Sequence, residues 1–498
     1  MEATLPGIVR WSVVLALFAG VADRALGQVD SGTSGFSAGA VANTRPLRPG
    51  DTTGARSYVI PAVELTGFLA LFNGFDRVAF ANQTEDGKKV FASTFTTTWD
   101  HVREQRWVHD EDPFNVNQFG HPYQGATMFG IPRSTGLGFW PSLVYSDVGS
   151  FVWKMAGETT PPSINDLITT GQAGSLLGEA LHRMAYLVLR DNGSEFARRL
   201  HEYLSIAIAP SGAVSRHAFG DRFDPGLQDS APATAWQFGL GATVDAHAKD
   251  QLVSANVLRR NAAAEFSMSY GLPGAPGYDY ERPLDYFDLQ VSGLSNTGNP
   301  IENVMLRGLL IGRKTGDRGN ARGVWGIYGS YDYISPFLFR VSSTAVALGT
   351  TQQLWVAPTI ALQGSLLGGV GYGAAGTTAG IPSTSTTEAI RDYHFGVTPQ
   401  SLVALRLIAG DRAMVDMTTR GYYVSGLGSD DTHGSETIFR GNVGLTLRLV
   451  GGHALAARYV ESIRQARYGT LPDRRLSEGT VTIAYSFLGS NHFGAVKR

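Results

Sequence analysis

The 498-residue chain contains no cysteine. Disulfides, thiol catalysis and every Cys-ligated metal site are therefore excluded. Charge is scarce too: Asp, Glu, Lys and Arg make up 17% of the residues, against roughly 25% in an average soluble domain. Lysine occurs only at positions 88, 89, 154, 249, 314 and 497, and the net charge is −2. That balance lacks the basic footprint of a nucleic-acid-binding protein. The HExxH and phosphate-loop patterns are missing, and with them the signatures of zincins and P-loop enzymes. The sequence thus implies no cofactor and no metal. No apolar run reaches the ~18 residues of a membrane-spanning helix.

Glycine and aromatic side chains are plentiful, with 61 Gly, 19 Tyr, 25 Phe and 8 Trp. Such a composition suits strands that face lipid on one side, and equally an ordinary β-rich protein. Order along the chain is more informative. Arg10 precedes an apolar run from Trp11 to Ala22, and Ala25 and Gly27 stand at −3 and −1 before Gln28. Residues 1–27 therefore read as a signal peptide for the Sec pathway, with cleavage after Ala22 as the alternative. An exported chain without a membrane helix is either soluble in the periplasm or a barrel. Residues 28–56 are dominated by Gly, Ser, Thr and Pro and read as a disordered linker.

Residues 57–222 read as a helical domain. An apolar segment from Tyr58 to Phe80 places Pro61 in a first helical turn. Residues 90–107 are ambiguous between helix and strand. Further helices are expected near 120–131, 138–157, 163–190 and 193–208. Ser163, after two prolines and three residues before Asp166, is placed to cap the third of these. Gly193 is placed to end it and Ser194 to start the next. Gly171, Gly174 and Gly178 each cost that helix up to about 1 kcal/mol against Ala, which a close approach by another backbone would offset.

From about residue 230 to 490 the hydrophobic period becomes two. Trp236, Phe238, Leu240, Ala242 and Val244 share one face. So do Phe287, Leu289 and Val291; Phe439, Gly441, Val443, Leu445, Leu447 and Leu449; and Val481, Ile483, Tyr485 and Phe487. Polar or small residues alternate with them, and Gly-rich polar stretches separate the segments. Repeated segments of about ten alternating residues are what a transmembrane barrel requires. A soluble β-sandwich alternates as well. The expected architecture is α+β: an N-terminal helical segment followed by an antiparallel transmembrane β-barrel of about twelve strands. Residues 359–380 are ambiguous, and the tail departs from an aromatic terminus because GAVKR follows Phe493.

Several polar residues stand amid apolar sequence in the helical segment: His121, Arg133, Glu158, Ser163, Asp166, Glu179, His182, Arg183 and Arg216. Buried charges must pair, and Glu179 and Arg183 have the i, i+4 spacing of an ion pair. The types suit a His/carboxylate acid–base or metal site in which His121 works with Glu158, Asp166 or Glu179 as catalytic candidates. They equally suit a structural network of Arg133, Lys154, Ser163, Arg183 and Arg216. On one straight helix Asp166 and Glu179 point about 140° apart, too far for a single two-carboxylate site.

The runs DPFNVNQFGHPYQG (112–125), PRSTGLGFW (132–140), SFVWKMAGE (150–158), PSINDLITTGQAGSLLGE (162–179) and APSGAVSRHAFGD (209–221) resemble an uncharacterised bacterial family. It is a domain-of-unknown-function family of predicted outer-membrane proteins. The resemblance implies an outer-membrane setting with the helical part joined to a barrel, and no activity. Lys154 stands where the family pattern has Glu after Trp153.

Three functional readings follow. The first is a non-enzymatic plugged barrel with a transport or structural role, its helical domain serving as plug or sitting at the periplasmic mouth. The second is a membrane-embedded enzyme acting on lipid or cell-wall material. The third is a soluble periplasmic binding protein. For a barrel, the implied partners are outer-membrane lipid and the barrel-assembly machinery.

Overall fold

The computed structural model describes residues 56–85, 87–104, 106–109, 112–190, 194–223, 225–227, 232–250, 259–295, 300–316, 320–335, 340–376, 393–426, 434–469, 473–489 and 491–496. Residues 1–27, read as a signal peptide, nearly all of residues 28–56, read as a linker, and Gly193 lie outside the described residues. The described chain divides into two compact units: residues 56–109 with 119–227, and residues 112–118 with 232–496.

The first unit is helical. Helix α1 spans Val59–Ala79, with Pro61 in its first turn. A two-stranded hairpin follows, β1 Thr84–Glu85 and β2 Lys88–Lys89. The ambiguous segment after it contains helix α2, Phe95–Glu104. Helix α3 is His121–Ser134 and α4 is Phe139–Ala156. Helix α5 (Ile164–Asp166), a π-helical turn (Leu167–Ala173) and α6 (Gly174–Leu189) form one uninterrupted run. Helix α7 is Glu195–Ile208, capped by Ser194, whose Oγ accepts from the Ala197 N–H. Helix α8 is Pro210–Phe219.

Packing explains the glycines. A Cβ on Gly174 would lie 2.6 Å from Gly125 Cα, and one on Gly178 would lie 2.8 Å from the Phe129 ring. Helices α3 and α6 therefore cross where neither can carry a side chain. Leu65, Phe68, Leu69 and Phe72 of α1 bury against Met128, Ile131 and Trp153. Each such side chain contributes about 1.5–3 kcal/mol by leaving water.

The second unit is a closed barrel of twelve antiparallel strands. They are β3 Thr234–Asp250, β4 Arg260–Tyr270, β5 Phe287–Leu294, β6 Ile301–Thr315, β7 Ala321–Ile334 and β8 Val341–Ala357. Then come β9 Ile360–Ala375, β10 His394–Ala409, β11 Ala413–Val424, β12 Gly434–Val450, β13 His453–Tyr468 and β14 Arg474–Leu488. The ambiguous stretch at 359–380 thus supplies β9. Each strand pairs with its sequence neighbour, and β14 closes the ring on β3 from Leu476↔Asp250 to Leu488↔Gln237. Closure leaves no unpaired edge.

Most strands alternate as the sequence reads. Val443, Leu445 and Leu447 are exposed on the outer face while Arg440 and Thr446 point inward. Val481, Ile483, Tyr485 and Phe487 are exposed while Thr482 and Ser486 are buried. Strand β5 departs from this pattern: Phe287 and Leu289, on its apolar face, are 0% and 2% exposed. Phe287 stacks on Tyr270 at 4.9 Å, and Leu284 packs over Gly308 beside it.

Residues 112–118 belong to the barrel unit. Phe114 stacks on Tyr333 at 5.8 Å and meets Tyr393 edge-on at 5.3 Å. The Tyr393 hydroxyl donates to Asp112 O (2.6 Å) and accepts from Asn117 Nδ2 (2.7 Å), while Tyr331 donates to Gln118 O (2.6 Å). Tyr331 and Tyr333 share a strand face with the exposed Trp325 and Ile327. By the period of two, this segment lies on the outside of the barrel wall.

Candidate functional site

The sequence candidates fall into two separate buried clusters in the helical unit. In the first, Asp166 is the hub. Its Oδ2 meets Lys154 Nζ at 2.5 Å and His121 Nε2 at 3.4 Å, and accepts from Ser163 Oγ at 2.6 Å. Its Oδ1 accepts from Asn165 Nδ2 at 2.7 Å. Lys154 also reaches Glu158 Oε2 at 2.9 Å, and Trp153 Nε1 donates to Glu158 Oε1 at 2.8 Å. Ser163 precedes α5 but gives it no side-chain cap; its hydroxyl turns to Asp166. A hydroxyl donating to a buried carboxylate makes a strong, charge-assisted bond.

In this cluster Lys154 is shared by two carboxylates. Burial pushes the Glu158 carboxyl upward, but the Lys154 charge and hydrogen bond more than offset it and hold it below its ordinary value. An acid–base catalyst working near neutral pH needs the opposite shift. The cluster is also sealed: His121, Lys154, Ser163 and Asp166 are buried, and 12% of the Glu158 side chain is accessible.

The second cluster holds Glu179 between two arginines. Arg133 Nε and Nη2 donate to its two oxygens at 2.6 and 3.2 Å, and Arg183 Nε donates at 2.8 Å. Arg133 Nη1 also donates to Leu137 O at 2.6 Å. All three side chains are 1% exposed. Burial alone would raise the Glu179 carboxyl, yet Arg133 and Arg183 bring it down to about 2. His182 is pushed down to about 3 by burial and by the nearby Arg133 charge. The neutral ring's Nε2–H donates to Pro225 O at 3.0 Å.

Glu179 is therefore brought to Arg133 and Arg183, apart from the His121 cluster. Arg216 joins neither: it donates to Glu202 (3.1 Å) and Ser205 (2.7 Å), and its guanidinium sits 5.6 Å from the Tyr186 ring. Among the described residues no group of three or more His, Asp or Glu side chains is placed to hold a metal ion. Both clusters couple carboxylates to fixed cations and donors, an arrangement that ties helices together.

The barrel carries a second candidate, in its lumen. The strand ends joined by residues 316–320, 358–359, 410–412 and 451–452 form the short-turn end, which also holds the loop 271–286 and the tail after β14. At this end Tyr278, Tyr280 and Tyr286 of the loop pack against Leu309, Val324, Tyr328, Ala347 and Leu367, which come from four strands. Tyr280 donates to Leu272 O at 2.5 Å, and Tyr286 donates to Asp288, itself paired with Arg307 at 2.6 Å.

The tail enters beside the loop. Phe493 and Ala495 pack on Ala361, Ile408, Ala454 and Leu488. Gln353 Nε2 and Trp355 Nε1 donate to Val496 O at 2.8 and 2.9 Å, and Val496 N–H donates back to Gln353 Oε1 at 2.7 Å. Above these segments, Arg458–Glu265 (2.7 Å) and Arg259–Glu478 (2.8 Å) are inward-facing ion pairs. Thr243, Gln290, Glu265 and Arg440 line a polar cavity of about 60 Å³. Sequence reading did not find this filling. The signal available was the displaced aromatic terminus: residues 493–496 leave the wall to enter the lumen.

Residues 106–211 match the model of a family described as Domain of unknown function (DUF3943). No curated protein matches the chain. Among solved structures, the chain is similar to the NanC porin, at 11% identity over 50% of this chain and 98% of the porin, with a TM-score of 0.27. It is also similar to the COG4313 outer membrane channel from Pseudomonas putida F1, at 9% identity over 52% and 96%, TM-score 0.29. A third is the translocator domain of autotransporter NalP from Neisseria meningitidis, at 14% identity over 53% and 90%, TM-score 0.24. The barrel itself is established by its strand pairing.

Proposed function

We propose that the protein is an outer-membrane β-barrel with a non-catalytic transport or structural role, held closed by its own loop and tail. The carrying observation is the filled lumen: residues 271–286 and 491–496 pack onto inward-facing side chains at the short-turn end. Two features support the location. A closed ring with an apolar outer face satisfies every backbone group in hydrocarbon. Its N-terminus also reads as an export signal for the Sec pathway, and a barrel-assembly machinery would then insert it. Short turns face the periplasm in such barrels, so the closure would lie on that side. The sealed, ion-paired clusters of the helical unit favour this reading over a lipid- or cell-wall-directed enzyme.

The test is conductance. Full-length protein in planar lipid bilayers is expected to show no steady ohmic current. Removing residues 490–498 is expected to produce discrete openings. A steady open-pore current from the intact chain would overturn the closed state. Membrane fractionation with heat-modifiable gel mobility checks the location. His121→Ala and Glu179→Ala are expected to impair folding; normal assembly with loss of a lipid-modifying activity would favour catalysis.

A further inference from the structure

The middle of helix α4 is built inside out. Between the buried Phe139 near one end and Trp153 and Met155 near the other, its inward positions are Ser142, Ser146, Gly149 and Ser150, while Trp140, Val144, Val148 and Phe151 are exposed. A surface helix of a water-soluble protein does the reverse. The inward serines bond to neighbouring backbone: Ser146 Oγ donates to Gly125 O at 3.2 Å, and Ser150 Oγ donates to Asp166 O at 3.4 Å. Small residues at helix contacts and hydroxyls bonded across helices are how helices associate in lipid. Of the two charged side chains of α4, Lys154 is buried, and Asp147, half-buried beside the exposed stripe, accepts from Gln172 at 3.0 Å.

Neighbouring helices extend this face. Leu65 of α1 sits over Gly149, and the Tyr145 hydroxyl donates to Tyr58 O just before α1. Helix α1 is long and apolar enough to cross a membrane, yet only 28% of its most apolar window is buried. Helix α2 buries none of its residues, although Phe95, Trp99 and Val102 form an apolar i, i+4, i+7 stripe. Its His101 Nδ1 pairs with Met155 O at 3.1 Å, which fixes α2 at the C-terminal end of α4. A short amphipathic helix bearing Trp fits the lipid–water boundary.

We infer that the exposed α1–α4 face of the helical unit lies against the acyl chains of the bilayer, with α2 at headgroup level. This rests on the membrane location proposed above. Lipid is favoured over a protein partner by the extent and uniformity of the apolar surface: Trp140, Val144, Val148, Phe151 and Val152 of α4 are exposed, as are Val59, Val63 and Leu71 of α1. The outward apolar and inward hydroxyl side chains in the middle of α4 suit a hydrocarbon solvent, whereas a protein partner needs only a local patch.

The absence of native cysteine allows single spin labels in the full-length chain. Val144→Cys and Val148→Cys report the proposed face, Leu366→Cys the outer barrel wall, and Glu195→Cys an exposed polar site. In vesicles of phosphatidylcholine and phosphatidylglycerol, collision with oxygen is compared with collision with a water-soluble nickel chelate. Labels at 144 and 148 are expected to match 366, with an oxygen-to-nickel ratio severalfold above that at 195. Nickel access at 144 and 148 equal to that at 195 would overturn the inference, as would low access to both reagents, which marks a protein partner. A lipid signal at 366 in either case leaves the barrel's location intact, and a nickel signal at 366 would overturn that location instead.

Discussion

Gly125 and Gly174 meet so closely that a Cβ on either would lie within 3.1 Å of the other's Cα. The crossing of α3 and α6 depends on this contact, and both polar clusters depend on the crossing. Gly174→Ala is expected to destabilise the helical unit by about 1–3 kcal/mol through overpacking. Gly74, in α1, has nothing within 4 Å of an added Cβ, so Gly74→Ala should be neutral or stabilising by up to about 1 kcal/mol. Thermal unfolding of the two variants in detergent checks the contrast.

Glu179 is shared by two buried arginines. Glu179→Leu removes the carboxylate that both Arg133 and Arg183 meet. Breaking a buried pair in this way costs about 3–5 kcal/mol. Glu179→Leu with Arg133→Met and Arg183→Leu should recover much of that loss. The measurement is the folded fraction by urea titration; equal losses in the single and triple variants would refute a charge-pairing role.

Acid should weaken the helical unit in two stages. His182 has its ordinary value of 6.5 lowered to about 3 in the fold. Its contribution is fully present above pH 6.5 and is lost as pH falls toward 3. Glu179, lowered from 4.5 to about 2, has its contribution present above pH 4.5 and lost as pH falls toward 2. His182→Gln is therefore expected to flatten the stability profile between pH 6.5 and 4.5 while leaving the lower limb in place. Thermal melting across that range is the readout.

The outer-wall segment is pinned by one hydroxyl in particular. Tyr393 donates to Asp112 O and accepts from Asn117. Tyr393→Phe removes both bonds, at a cost of about 0.5–1.5 kcal/mol each. Phe114→Ala removes the ring between Tyr333 and Tyr393. Limited proteolysis should cleave near residues 112–118 faster in both variants than in the parent, with the barrel core remaining resistant.

Much of the barrel was legible because its chemistry is periodic. Strand β12 sets Val443, Leu445 and Leu447 against Arg440 and Thr446, and the period alone separates wall from lumen. The Glu179–Arg183 pair was legible for the same local reason. Arg133, by contrast, lies 46 residues from Glu179 in sequence, and only the close helix crossing joins them. Asp166 and Glu179 were expected to point apart, and they indeed serve different clusters. Phe287 and Leu289 obey the strand period, yet cover by Tyr270 and Leu284 is a tertiary matter that no period encodes. Nor does any local pattern tell that Val496 will bond to Gln353, 143 residues away.

The tail's position also gives one chain two jobs. Residues 491–496 follow the last strand of the ring and pack on its inner face. Staves and cork are therefore a single piece, made in equal number with every copy.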